Sequence, residues 1–305
     1  MLQEEVKIVV NPVAASGKVA KRWPRIARLL KERSIRFSHA VTEAVGHATE
    51  ITRQAIRDGY RTIIANGGDG TLNEVLNGLV EGETIDSSVT LGVIPGGTGC
   101  DFVRTLGLPR DGERSLDRIG AARSRLIDIG EITFGSPERR EVRYFVNVAG
   151  LGFDGEVSEY CNRSSKAAGG TATYLKGLLV NLLSYHNKEV EITLDEKTFT
   201  RRVNTVAVCN GQYAGGGMRF GPDARLDDGL FDVIVIGDLG KLDFLANVHR
   251  IYKGTHLSHP KVSSFRCRTV RVTSQEPMFM QAEGELVGQA PATFKVLPHA
   301  LHFLA

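Results

Sequence analysis

The sequence holds little cysteine: four residues in 305, namely Cys100, Cys161, Cys209 and Cys267. They are scattered without a CxxC pair, which excludes a disulfide framework and a cysteine zinc site and points to a reducing cytoplasm. An excess of one charge is also missing. The 38 Lys and Arg nearly balance 35 Asp and Glu, and the net charge of +3 falls short of a dedicated nucleic-acid binder. No apolar run reaches the ~18 residues of a membrane-spanning helix. The start, MLQEEVKIVVNP, is acidic before a short apolar run, unlike a secretory signal. The histidines show no HExxH spacing, and the glycine-rich stretch Asn66 to Glu74 is neither a P-loop with Gly-Lys-Ser/Thr nor a GxGxxG. What remains is a globular composition, 42% hydrophobic and 24% charged, with length for two domains.

The first part alternates short apolar runs with helical patterns. Val6 to Val10 precede a helix with Trp23, Ile26, Ala27 and Leu30 on one face; Phe37 to Val41 precede Ile51, Ala55 and Ile56; Thr62 to Ala65 precede Leu72, Val75, Leu76 and Leu79. Val89 to Ile94 lead through a glycine-rich turn into Asp101 to Leu106. This alternation predicts a doubly wound parallel sheet with its ligand site at the strand carboxyl ends. From about Glu131 the texture changes to short β-rich runs, Tyr144 to Val148, Val190 to Leu194, Thr205 to Cys209, Phe231 to Ile236 and Thr269 to Thr273, which predict an antiparallel β-sandwich. Helical patterns interrupt it at Tyr174 to Leu183 and Leu242 to Tyr252, and the first has an apolar stripe that suits core or a membrane surface. The expected domains are 1–130, a nucleotide-binding α/β domain; 131–292, a β-sandwich substrate domain; and 293–305, a strand pair returning to the first.

Two loops carry the strongest chemical signals. Asn66-Gly67-Gly68-Asp69-Gly70-Thr71-Leu72-Asn73-Glu74 follows a strand and opens a helix, so backbone N–H groups and the helix dipole suit a phosphate. A plain turn with Thr71 and Glu74 as a capping box explains those two residues but leaves Asp69 unexplained. Pro95-Gly96-Gly97-Thr98-Gly99-Cys100-Asp101 occupies the same place after the next strand, with Asp101 as an alternative helix cap. Asn11-Pro12, Ser16-Gly17-Lys18 and Thr42 end earlier strands, each a weak signal alone.

With NPVAASGK, GGDGTLNEVLNG, IPGGTGCDFVRTLGLP, RLIDIG, NVAGLGFDGEV, GQYAGGGMRFGPDARLDDGLFDV and QAEGELVG in that order, nearly the whole chain resembles the soluble diacylglycerol-kinase-like lipid kinases of bacteria. GGDGT alone also resembles NAD kinases; the combination is more specific. The resemblance implies a kinase that moves the γ-phosphoryl of ATP to a hydroxyl of a membrane lipid, with diacylglycerol or a similar neutral alcohol favoured. ATP is expected in a cleft between the domains, near Asn11, Thr42, Gly67, Gly68, Asp69, Gly70, Thr71, Leu72, Asn73, Glu74 and Thr98. Asp69, Asp101 and Asp128 match acidic positions near the phosphates and catalytic Mg²⁺, a chemistry in which carboxylates hold the metal or its waters. Asp128 also reads as a polar turn residue.

In the second domain Arg225, Asp228 and Leu230 match a structural Mg²⁺ loop, Asp228 by its carboxylate and the others by carbonyls, although Asp-Gly also suits a hairpin turn. Glu283-Gly284-Glu285 matches a segment that usually reads Asp-Gly-Glu and supplies the acceptor-side base, Glu285 ahead of Glu283. On an extended strand both acids would share one face. Cys100 stands where the family usually has Asn. The expected partner is a lipid at the inner membrane face, met by a cytoplasmic, peripheral protein without nucleic acid, as monomer or homodimer. Two rivals remain: an NAD kinase and a catalytically silent lipid-binding relative, the latter suggested by Cys100 and Glu283.

Overall fold

The computed structural model describes residues 4–82, 84–136, 138–163 and 184–305. The Tyr174 to Leu183 pattern lies outside the described residues. Two compact units partition the chain, one of residues 1–128 with 299–305 and the other of residues 129–298.

In the first unit, β1 (Val6–Val10), α1 (Ala14–Glu32), β2 (Phe37–Val41), α2 (His47–Arg57), β3 (Thr62–Gly67) and α3 (Asp69–Gly78) follow in order. A small hairpin, β4 (Val80–Glu81) and β5 (Thr84–Ile85), leads to β6 (Thr90–Pro95), α4 (Asp101–Thr105) and α5 (Gly112–Ala121). β2 pairs with β1, β1 with β3 and β3 with β6, all in parallel. The helices form because their apolar residues recur at helical spacing: Val19, Ile26 and Leu30 of α1 meet Ile8, Ile64 and Leu116 in one buried core. Register fixes the site. Gly67 ends β3 directly beside Pro95, the end of β6, so both glycine-rich loops leave the same sheet edge side by side.

The second unit is antiparallel, built from β7 (Ser124–Ser136), β8 (Arg139–Phe145), β9 (Val148–Gly152), α6 (Phe153–Arg163), β10 (Lys188–Leu194), β11 (Lys197–Cys209), β12 (Phe231–Gly237), α7 (Lys241–Lys253), β13 (Val262–Cys267), β14 (Thr269–Ser274), β15 (Phe279–Ala282), β16 (Glu285–Gln289) and β17 (Ala292–Leu304). Its pairing order is β16-β15-β9-β11-β10-β14-β17, with β12 on β11 and β13. Val206, Val208, Phe231, Val233, Val270, Val272 and Phe294 alternate inward to form the sandwich core.

Two expectations are corrected. The run Tyr144 to Val148 is not one strand: β8 stops at Phe145, and Val146 and Asn147 turn the chain before β9, their N–H groups donated to a side chain rather than a ladder. The closing segment is one strand rather than a pair. β17 runs unbroken from Ala292, pairs with β14 as far as Lys295, and through His302 and Phe303 joins β6 in parallel. The change falls at His299, whose backbone has φ 49° and whose N–H goes to Asp128 at 2.8 Å.

Candidate active site

In the first unit the two glycine loops touch backbone to backbone. Gly96 and Gly97 N–H groups both donate to the Gly67 carbonyl, at 2.8 and 3.1 Å. A side chain on Gly97 would come within 2.5 Å of Gly68 Cα, an approach only glycine permits. Asp69 completes the junction: its carboxylate accepts the N–H groups of Asp101 and Phe102, each at 3.1 Å, and so caps α4 from the neighbouring loop. Burial pushes its carboxyl above the ordinary range, and those amide bonds work against the rise. The Asp69 and Asp101 carboxylates converge on Gly99, where a Cβ would lie 3.2 and 3.5 Å from their Oδ2 atoms. Arg104 stands 3.4 Å from Asp101.

Around this junction, Asn11 donates to Thr71 Oγ1 at 2.9 Å and holds the first loop to the third. Buried Thr42 is fixed at the end of β2 by its N–H to the Val10 carbonyl. Thr98 is exposed. Leu72 and Asn73 are buried in α3. Asp128 lies within β7 rather than in a turn, fully buried, with Oδ1 on the His299 N–H. The capping box of Thr71 and Glu74 is not formed; Glu74 instead accepts the N–H groups of Gly46 and Ala48 and caps α2. Asp101 does not cap α4 either, because Cys100 takes that place in the left-handed region. Its thiol donates to the Gly97 carbonyl and is pushed up to about 11, chiefly by burial, which makes it a packing group rather than a nucleophile.

In the second unit Glu283 and Gly284 are not strand residues. They form the turn between β15 and β16, with φ 55° and 81°, while Ala282 and Glu285 pair across it. The two acids therefore do not share a strand face by alternation; the turn sets their directions. Glu283 Oε1 accepts the N–H groups of Val146 (2.9 Å) and Asn147 (2.7 Å), which turns the corner before β9. Glu285 is half-buried at the head of β16.

Residues 5–132 match the diacylglycerol kinase catalytic domain, and residues 147–305 match the YegS C-terminal NAD kinase beta sandwich-like domain. A diacylglycerol kinase of Staphylococcus carnosus is 32% identical over 299 residues, covering 96% of this chain and 92% of that protein. One of Bacillus subtilis is 31% identical over 301 residues, covering 98% and 95%. The chain belongs to the diacylglycerol kinase family. A crystal structure of a candidate diacylglycerol kinase of Bacillus anthracis superposes with a TM-score of 0.79 at 26% identity, over 99% of this chain and 95% of that one. Yeast NADH kinase shares the fold more distantly, with a TM-score of 0.51 at 10% identity over 99% and 84%.

Two features set this diacylglycerol kinase family member apart from the reading of its motifs. The Asp228 loop, expected to hold a structural Mg²⁺, already has a cation. Asp228 Oδ2 meets the Arg266 guanidinium while Oδ1 accepts the Leu230 N–H at 3.2 Å, and Arg225 turns to Asp227 at 3.5 Å. Arg266 also stands 3.8 Å from Asp232, whose carboxyl burial pushes up to about 6. A metal on Asp228 would compete with that guanidinium for the carboxylate. The second feature is Asp154 at the start of α6, which carries an enclosed carboxylate. FDGEV was visible as a motif, but nothing in the local spacing shows that Asp154 faces Gln281, 127 residues away.

Proposed function

We propose that the protein transfers the γ-phosphoryl group of ATP to a hydroxyl of a membrane lipid, diacylglycerol or a related neutral lipid alcohol. The observation that carries this is the convergence of the Asp69 and Asp101 carboxylates on Gly99, between two glycine loops, in a chain with a kinase-family catalytic domain. Glycine-rich loops that open helices suit a polyphosphate, with Asn11, Thr42, residues 67–73 and Thr98 on the donor side. Glu74 serves that side indirectly, as the cap of α2. Asp69 and Asp101 would hold Mg²⁺ directly or through water, Asp128 is assigned to the same acidic set, and the ion when bound would supply charge neutralisation on the phosphates. On the acceptor side Glu285 takes the hydroxyl proton; the lipid oxygen bonds to the γ-phosphorus, the bond to the β-phosphate oxygen breaks, and ADP leaves. Glu283, with one oxygen on two backbone amides, is assigned to hold the turn.

Among the described residues no helix is long and apolar enough to cross a membrane. We place the protein in the cytoplasm, collecting lipid at the inner membrane face. The test is γ-labelled ATP with dioleoylglycerol in mixed micelles and, separately, with NAD. Label in extracted phosphatidic acid is expected. Label on NAD would replace the proposal with an NAD kinase, and ATP binding without turnover across a lipid panel would leave a silent lipid-binding relative.

A further inference from the structure

We propose that Asp154 and Gln281 form a positioning pair that locks the turn carrying Glu283 and Glu285; this rests on the acceptor-side role given to that turn. Gln281 is buried on β15, directly across from Gly150 on β9. Its Nε2 donates to Asp154 Oδ2 at 3.0 Å, and its Oε1 accepts the Gly284 N–H at 2.8 Å. Asp154 Oδ1 takes the N–H of Gly155 at 3.0 Å. The packing leaves this arrangement no slack. A side chain on Gly150 would come within 2.2 Å of Asp154 Oδ2, and one on Gly155 within 2.2 Å of the Phe279 carbonyl, so α6 begins in direct contact with β15.

The polarity of the chain of bonds matters more than its length. A primary amide has one donor end and one acceptor end. A carboxylate only accepts, so Asp154 compels Gln281 to turn its NH₂ toward α6 and its oxygen toward Gly284. The Gly284 N–H is thereby held, and the residue lies between the two acids in a turn whose central positions both have positive φ. Asparagine at 154 would fill nearly the same space without this directional constraint. Asparagine would also avoid burying a charge: enclosure pushes the Asp154 carboxyl up to about 6, so its charged form is held at neutral pH against a desolvation cost. A charge kept at such a cost, bonded through one side chain to the backbone beside two candidate bases, is a positioning device.

Three full-length variants test it: Asp154→Asn, Gln281→Glu and the two together. In the first, one amide must present a donor to a donor; in the second, two carboxylates face each other. The double variant reverses both polarities, so the new amide at 154 donates to one oxygen of the new carboxylate at 281 and the Gly284 N–H donates to the other. Each single variant is expected to speed hydrogen exchange at the Gly284 amide about ten-fold or more, and to lower kcat on dioleoylglycerol by a similar factor with KM for ATP unchanged. The double variant recovers both toward wild type. If Gln281→Glu fails to fold alone, its rescue by Asp154→Asn is the same expected result. Unchanged exchange and kcat in Asp154→Asn, or a double variant no better than the worse single, overturns the proposal. A wild-type protein inactive on dioleoylglycerol would sink the kinase reading alone, since exchange at Gly284 still decides the pairing.

Discussion

Asp69 does two jobs that one substitution cannot remove separately. Its carboxylate faces Gly99 beside Asp101, and it also caps α4 through Asp101 and Phe102. Asp69→Ala should therefore lose both turnover and the cap, about 1 kcal/mol of stability. Asp69→Asn keeps an acceptor for only one of the two cap amides and sets its NH₂ against the other, so it should fold with part of the cap's stability lost while kcat falls ~10² to 10⁴-fold. A folded Asp69→Asn with near-normal kcat would remove the carboxylate from the chemistry. The acid pair separates by a related argument. Glu283→Gln retains an oxygen for the Val146 and Asn147 N–H groups and should cost little, whereas Glu285→Gln should abolish lipid phosphorylation with ATP binding intact. The reverse order of the two kcat values moves the base to Glu283. Asp69 was legible in the sequence because a carboxylate inside GGDGT has no turn-forming reason to be there. Its capping role was not, since the partners lie 32 and 33 residues away.

The elements that the sequence made plain are those whose signal is periodic. The βα units and the β-rich second part announce themselves because apolar spacing follows from which face is buried. The β15–β16 turn shows where that logic ends: Gln281-Ala282-Glu283-Gly284-Glu285 reads equally as a strand, and only the positive φ of Glu283 and Gly284 makes it a hairpin. The Asp228 loop shows a different limit. Its ligand-like order is local, but the cation it meets, Arg266, arrives from β13. The melting temperature of the wild type should accordingly be the same in Mg²⁺ and in EDTA. Asp228→Ala should lower it by the same amount in both, with a stability loss of roughly 1 kcal/mol at most given the half-exposed guanidinium. A drop in the wild type on adding EDTA would return the loop to a metal.

At the scale of the molecule, what escaped the sequence is long-range electrostatics: which carboxylates the folded chain encloses. In the second unit the Asp154 carboxyl titrates near 6 against an ordinary 3.8, driven by burial and only partly relieved by Gln281 and Gly155. A raised acid favours the protonated native state. Its contribution to stability is full below pH 3.8, fades as the pH rises through about 6, and differs by ~3 kcal/mol between those limits. His256 works with the opposite sign. Burial lowers its pKa, against the opposing pull of its bond to the Phe220 carbonyl, so the native state favours the neutral ring and loses stability as the pH falls below 6.5. The wild-type profile mixes these terms, and a difference isolates one of them. The melting temperature of Asp154→Asn relative to wild type should be clearly higher at pH 7.5 than at pH 4.5, because the variant has no carboxylate to bury while the wild type pays desolvation only when ionised. Because the comparison is between two pH values, the constant cost of the broken donor–acceptor order at Gln281 cancels. A relative melting temperature that does not change with pH would mean that the Asp154 carboxylate is solvated in the folded protein, and that its bond to Gln281 forms in water rather than in an enclosed site.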